Sequence, residues 1–355
     1  MSAVLPATIA SAPPSVKPMS PNQRAWARFK RNRIGCVSLW CFVIFLVLAT
    51  FAELVSNDRP LVARYDGQLF FPLFNNHPET TFGGDFETPT DWSDPLIADA
   101  FAKPGHWAFF TLNRYSATTT NPFEAVPSPA PPSRLHWLGT DSLGQDMVAR
   151  LLYGFRVSIW FAFALTLAGT AIGILAGALQ GYFGGRVDLG MQRLIEIWSS
   201  IPELYLLIIF ASIFEPSLLL LLVLLSLFGW VGLSDYVRAE FLRNRGLEFV
   251  KAARAMGLSN RQIIWRHVLP NSMTPVITFL PFRMSGAILS LVALDFLGLG
   301  VPPSVPSLGD LVRQGKANLD AWWIIFPTFL VLVVTLLLLT FIGDALRDAF
   351  DTRKS

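Results

Sequence analysis

Charged side chains are expensive in hydrocarbon, yet Glu196, Glu203 and Arg283 all fall inside long apolar stretches of this sequence. Such groups by default face the interior of a helix bundle or a water-filled cavity. Glu196 and Glu203 are two helical turns apart and share a face. Either Glu196 snorkels to a membrane surface beside Arg193, or Glu203 or Arg283 lines a path for a polar solute. Nothing points to bond-breaking chemistry. The sequence contains no G-x-x-x-x-G-K-[ST] phosphate loop, no H-E-x-x-H and no G-x-S-x-G. It is therefore no ATPase, and a membrane-embedded hydrolase has little support. Cys36 and Cys41 lie together in the first apolar run, where they form neither a disulfide framework nor a spaced zinc site.

Composition says what must hold these groups. Of 355 residues, 52% are hydrophobic and only 15% are charged, more apolar character than a soluble surface absorbs. The formal charge of +3 is small, so position matters more than the total. A spanning helix needs about 20 mostly apolar residues. The uncharged runs 34–52, 157–185, 216–234 and 321–343 qualify. Two interrupted segments, 189–214 and 268–299, are also rich in Leu, Ile, Phe and Val over that length. The expectation is an all-α integral membrane protein of six helices. The first is a retained signal anchor, because its run exceeds the roughly 7–15 residues of a signal-peptide core.

Lys and Arg stay on the cytoplasmic side. With six spans, three basic regions share one face: Arg24, Arg28, Lys30, Arg31 and Arg33 before the first helix; seven cations between Asp235 and Pro270; and Arg347, Arg353 and Lys354 at the end. Both termini are then cytoplasmic. The opposite face receives a polar segment from about Glu53 to Arg156, closed by a proline-dense spacer at 127–132. A loop this long is disordered or a folded cap, and Phe70, Phe71, Phe74, Phe86, Phe109 and Phe110 favour a cap.

Gly169, Gly173, Gly177 and Gly181 recur every four residues in the second helix, on one face. The spacing makes a groove where another backbone approaches closely, with a gating hinge as the rival reading. The stretch from Glu248 to Asn271 reads as two short helices. The first, about 247–256, stops at Gly257; the second starts at the N-cap Ser259 and ends before Pro270. Ala252 and Ala253 are small enough for a helix to lie in a partner's cleft, and Arg254 and Arg261 can meet acidic rims. The alternative is a plain basic loop.

The spacing of Ala252-Ala253, Gly257 and Leu269-Pro270 resembles the docking loop by which ABC-importer permeases engage their ATPase. Lys251 stands where that motif usually has Glu, and His267 where it has an aliphatic residue. The run 252–257 with 266–271 resembles the dipeptide, oligopeptide and nickel permease group, which varies in the same way. The stretches 136–146, 150–158, 295–303 and 306–309 resemble that group too. Phe82-Gly-Gly-Asp-Phe86 and Thr90-Asp-Trp92 look like its microcin C-type peptide branch.

The resemblance implies a type I importer permease with a long extracytoplasmic first loop. Its parts would be a cytoplasmic segment 1–33, a first helix 34–54, a periplasmic cap 55–153, a permease domain 154–346 and a tail 347–355. The docking loop, within 235–270, would use Glu248, Lys251, Ala252, Ala253, Arg254, Gly257, Arg261, Leu269 and Pro270. The implied partners are a second permease, two ATP-binding subunits (or one fused), a periplasmic peptide-binding protein, the peptide cargo and membrane lipid, with no nucleic acid. ATP and Mg would be bound by the ATPase partners, and no cofactor by this chain. A secondary transporter coupled through Glu203 and Arg283 is the rival; it should show repeat-related broken helices, and no internal repeat is evident.

Overall fold

The computed structural model of the chain describes residues 20–120, 126–302 and 304–351. The expectations for the first nineteen residues, for Pro303 and for Arg353 and Lys354 lie outside these. Two helices open the fold, α1 (Pro21–Arg31) and α2 (Arg33–Thr50), separated by Asn32, whose Oδ1 accepts from Gly35 N at 3.0 Å and caps α2. A turn of helix, α3 (Ala52–Val55), leads into the polar segment.

That segment is folded. Strands β1 (Val62–Tyr65), β2 (Gln68–Phe70) and β3 (Trp107–Phe109) form an antiparallel sheet in the order β2-β1-β3. Asp66 and Gly67, both at positive φ, make the two-residue hairpin turn between β1 and β2. With α4 (Pro95–Phe101), the sheet encloses Phe82, which is fully buried. Rings of Tyr65, Phe70, Trp92 and Phe101 stand 5.1–5.5 Å from it. The aromatics expected to build this core are mostly elsewhere: Phe71, Phe74, Phe86 and Phe109 are exposed, while Phe70 and Phe110 join the cluster. Strand alternation explains Phe109, because β3 turns its two large rings outward and Ala108 inward.

The long helix α5 (Met147–Phe183) starts ten residues before the uncharged run that announced it. Asp146 caps it by accepting from Ala149 N at 2.9 Å, and the charges of its first turns are paired, so the helix continues through them. Two bent pairs follow. Helix α6 (Gly185–Ser199) and α7 (Glu203–Ile213) meet at 61° across Pro202; α8 (Leu218–Phe228) and α9 (Val231–Asn244) meet at 40° across Gly229 and Trp230. Helix α9 runs ten residues into what reads from sequence as a loop.

Next come α10 (Glu248–Ala255), α11 (Asn260–Ile263), a π turn at Ile264–Val268 and the short α12 (Leu269–Asn271). The fold closes with α13 (Thr274–Phe296), α14 (Leu308–Ala317) and α15 (Trp322–Phe350). Among the described residues four helices, α2, α5, α13 and α15, are long and apolar enough to cross a membrane, and there are up to six spans if each bent pair counts as one. The main core joins α2, α5, α7, α8, α13 and α15 through Phe42, Ile159, Leu207, Leu224, Ile288, Leu291 and Leu339. The cap sits at the Met147 end of α5, and α10–α12 at its Phe183 end.

Candidate functional site: the docking loop and the membrane charges

Helix α10 ends as the sequence demands. Gly257, at φ +80°, lets its own N–H reach Arg254 O (3.0 Å) and that of Leu258 reach Ala253 O (3.2 Å), the paired bonds of a Schellman stop. Ser259 then opens α11 with a capping box shared with Gln262. The second helix does not stop before Pro270. Leu269 N–H bonds to Ile264 O, five residues back, and the widened turn carries the chain past a proline that has no N–H to give.

The two small residues divide their work. Ala253 is buried with Val250, Ile263 and Val268 in a core shared with Tyr182 of α5 and Val237 and Phe241 of α9, whereas Ala252 is exposed. The outward surface is therefore Lys251, Ala252, Arg254, Met256, Gly257 and Arg261, with Glu248 held by Lys251 at 2.8 Å. Leu269 is half-buried and Pro270 exposed. The loop is braced from behind: Tyr182 Oη donates to Asn260 Oδ1 at 2.8 Å, Arg245 Nη1 donates to Tyr182 O at 3.1 Å, and Asn244 Nδ2 donates to Ser272 Oγ at 2.8 Å. Arg238 grips Asp188 through both Nε and Nη2, at 2.5 and 2.8 Å.

All four glycines of the α5 ridge face the α8–α9 pair within this chain. A β-carbon at Gly173 would lie 2.9 Å from Trp230 O, at Gly177 2.5 Å from Ser234 O, and at Gly181 2.6 Å from Arg238 O. At Gly169 it would lie 3.3 Å from Gly229 O. Arg283 enters at the same place, donating from Nη2 to Gly229 O at 2.8 Å, where α8 breaks into α9. Glu203 is elsewhere. It lines a groove of about 380 Å³ with Leu204, Leu207, Leu225, Ser290 and Leu297. Among the described residues no ion pair joins Glu203 to Arg283, and no three His, Cys, Asp or Glu side chains converge as metal ligands.

A family profile described as the inner membrane component of binding-protein-dependent transport systems matches residues 169–355. A second, for the N-terminal membrane domain of oligopeptide transport permease C, matches 20–78. The chain belongs to this permease family. It is 48% identical to the inner membrane ABC transporter permease protein YejE of Escherichia coli, over 94% of this chain and 98% of that one. It is 45% identical to the peptidoglycan transport system permease protein YejE of Agrobacterium fabrum, over 96% of each. The dipeptide transport system permease protein DppC of Lactococcus lactis matches at 31% over 94% of this chain and 91% of its own. The permease is thus a non-catalytic inner-membrane component of the ABC peptide importers.

One feature of the permease that motif reading missed is a buried charge cluster at the cap end. Arg150 is fully buried; its Nη2 lies 3.1 Å from Asp310 on α14, and its Nε 3.5 Å from the equally buried Asp141. Gln314 donates to Asp310 at 2.8 Å and accepts from Ser142 N and Oγ at 3.0 and 2.9 Å. Beside it Asp146 accepts from Asn113 at 2.7 Å and contacts His136 at 2.8 Å, tying the cap to the start of α5. The signal was present as charged residues bunched just before an uncharged run, but Asp310, which pairs with Arg150, is 160 positions away.

Proposed function

We propose that this permease is a six-span half of a translocation pathway for peptides, with its termini and α10–α12 in the cytoplasm and the cap outside. The observation that carries the reading is the outward face of Lys251, Ala252, Arg254, Met256 and Arg261, offered on a loop braced against the inner end of α5. An exposed, braced basic surface with small residues suits the cleft of an ATP-binding subunit. Two such subunits (or one fused pair), a second permease and an extracytoplasmic binding protein complete the assembly; ATP and Mg belong to the ATP-binding partners.

Glu203 is the pathway residue of this reading. A carboxylate at membrane depth costs about 2.5–3.5 kcal/mol and is retained where it faces polar traffic. Its groove, shared with Ser290, gives it such a face. Arg283 shares the pathway in the same scheme, anchored through Gly229 O. The cargo class is peptides. Peptidoglycan-derived peptides are the first to try, on the strength of the Agrobacterium relative, and microcin C-like peptides the second. The test is uptake of labelled peptide into proteoliposomes holding the whole importer. ATP-dependent uptake that survives a proton uncoupler supports the reading; uptake abolished by the uncoupler at constant ATP overturns it.

A further inference from the structure

Helix α1 is built as a separate surface element. Ser20 and Gln23 close a capping box at its start, and Asn32 ends it one residue before α2 begins. One side docks on the far end of α15: Phe29, 2% exposed, packs with Ala345 and Ala349, and Arg28 Nη1 donates to Asp351 O at 3.0 Å. Gly35 permits the close approach, because a β-carbon there would overlap that of Ala345.

The other side has a different chemistry. Trp26 is 51% exposed and stacks on Phe29 at 5.5 Å, with the Lys30 ammonium 5.4 Å over its ring. Lys30, Arg31 and Arg33 are exposed, and among the described residues none of the three is in an ion pair. No Asp or Glu occurs between residues 21 and 52. The helix is joined to a membrane span by a single residue, so this face lies at the headgroup level of the leaflet that α2 enters. A half-exposed tryptophan beside unpaired cations is the composition of an interfacial helix on an anionic surface.

We infer that α1 binds the anionic phospholipid headgroups of that leaflet, with Lys30, Arg31 and Arg33 contacting phosphate and Trp26 seated at the acyl boundary. The cations would otherwise serve only to set topology, and Arg24, Arg28 and Arg33 remain to do that when two are removed. The test uses the full-length chain in nanodiscs of phosphatidylglycerol and phosphatidylethanolamine, released for native mass spectrometry. Each cation at an anionic surface is worth about fivefold in affinity. Lys30→Gln with Arg31→Gln should therefore weaken phosphatidylglycerol retention by roughly 25-fold, while retained phosphatidylethanolamine stays unchanged. Equal loss of both lipids, or unchanged phosphatidylglycerol, overturns the inference. If the double variant does not accumulate, Trp26→Ala decides: it should weaken retention of phosphatidylglycerol, and full retention counts against the site.

Discussion

The hydroxyl of Tyr182, in the last turn of α5, donates at 2.8 Å to Oδ1 of Asn260, the first residue of α11. This bond links the loop that faces the ATPase in the proposed assembly to the longest membrane helix. One neutral hydrogen bond is worth about 0.5–1.5 kcal/mol, enough to affect coupling and too little to unfold the chain. Tyr182→Phe should leave the importer assembled and melting within a few degrees of wild type. Peptide moved per ATP hydrolysed should fall. Parallel uptake and phosphate-release assays check this; an unchanged ratio would show that the bond carries no coupling.

The glycine ridge gives a prediction with an internal control. Any side chain at Gly177 meets Ser234 O and Val237, and overpacking of this kind costs about 1–3 kcal/mol even for small additions. Gly177→Leu should lower the melting temperature and the folded yield sharply. Gly190→Leu should change neither, because nothing lies within 4 Å of a β-carbon there. Size-exclusion profiles after graded heating compare the two, and equal behaviour would place the Gly177 face against lipid.

Arg150 predicts a large effect from one side chain. Removing one partner of a buried ion cluster leaves uncompensated charge and costs about 3–5 kcal/mol. Arg150→Met leaves the buried Asp141 without its cation, while Asp310 keeps Arg313, and should be strongly destabilising. Adding Asp141→Asn removes the stranded carboxylate and should recover part of the loss. A double-mutant cycle measures the coupling; additive losses would mean that the pair does not interact.

The proposed topology is testable at Ser93, which is exposed on the cap. In a chain with Cys36 and Cys41 replaced, Ser93→Cys should react with an impermeant maleimide on intact spheroplasts. Labelling only after rupture would put the cap inside and reverse the orientation.

How much of this was legible in the sequence follows physical range. Helix propensity, apolar run length and capping act locally, so the four long apolar helices, the Gly257 stop and the Ser259 start could be read directly. The glycine spacing marked a packing face, but its partner, the α8–α9 pair, is set by tertiary contact. Ala253 shows the limit most clearly. By composition it is a twin of Ala252, yet one faces outward and the other fills a core, a difference decided by where Val250, Ile263 and Val268 close over it. Pro270 looked like a helix end because the neighbouring π turn, which relieves it, has no sequence signature. The Arg150 cluster was hidden by the separation of its parts, and the cap core by the alternation of a strand only three residues long.

The most direct test of the central claim is photo-crosslinking from Met256, 72% exposed on the proposed docking loop. A photoreactive amino acid there, in cells expressing the importer, should form an adduct with the ATP-binding subunit, and the same residue at Ser93 should not. Ala252→Trp should abolish the Met256 adduct while leaving the chain stably inserted. No adduct at Met256, or one that forms equally from Ser93, would contradict the assignment of this loop as the contact through which ATP drives transport.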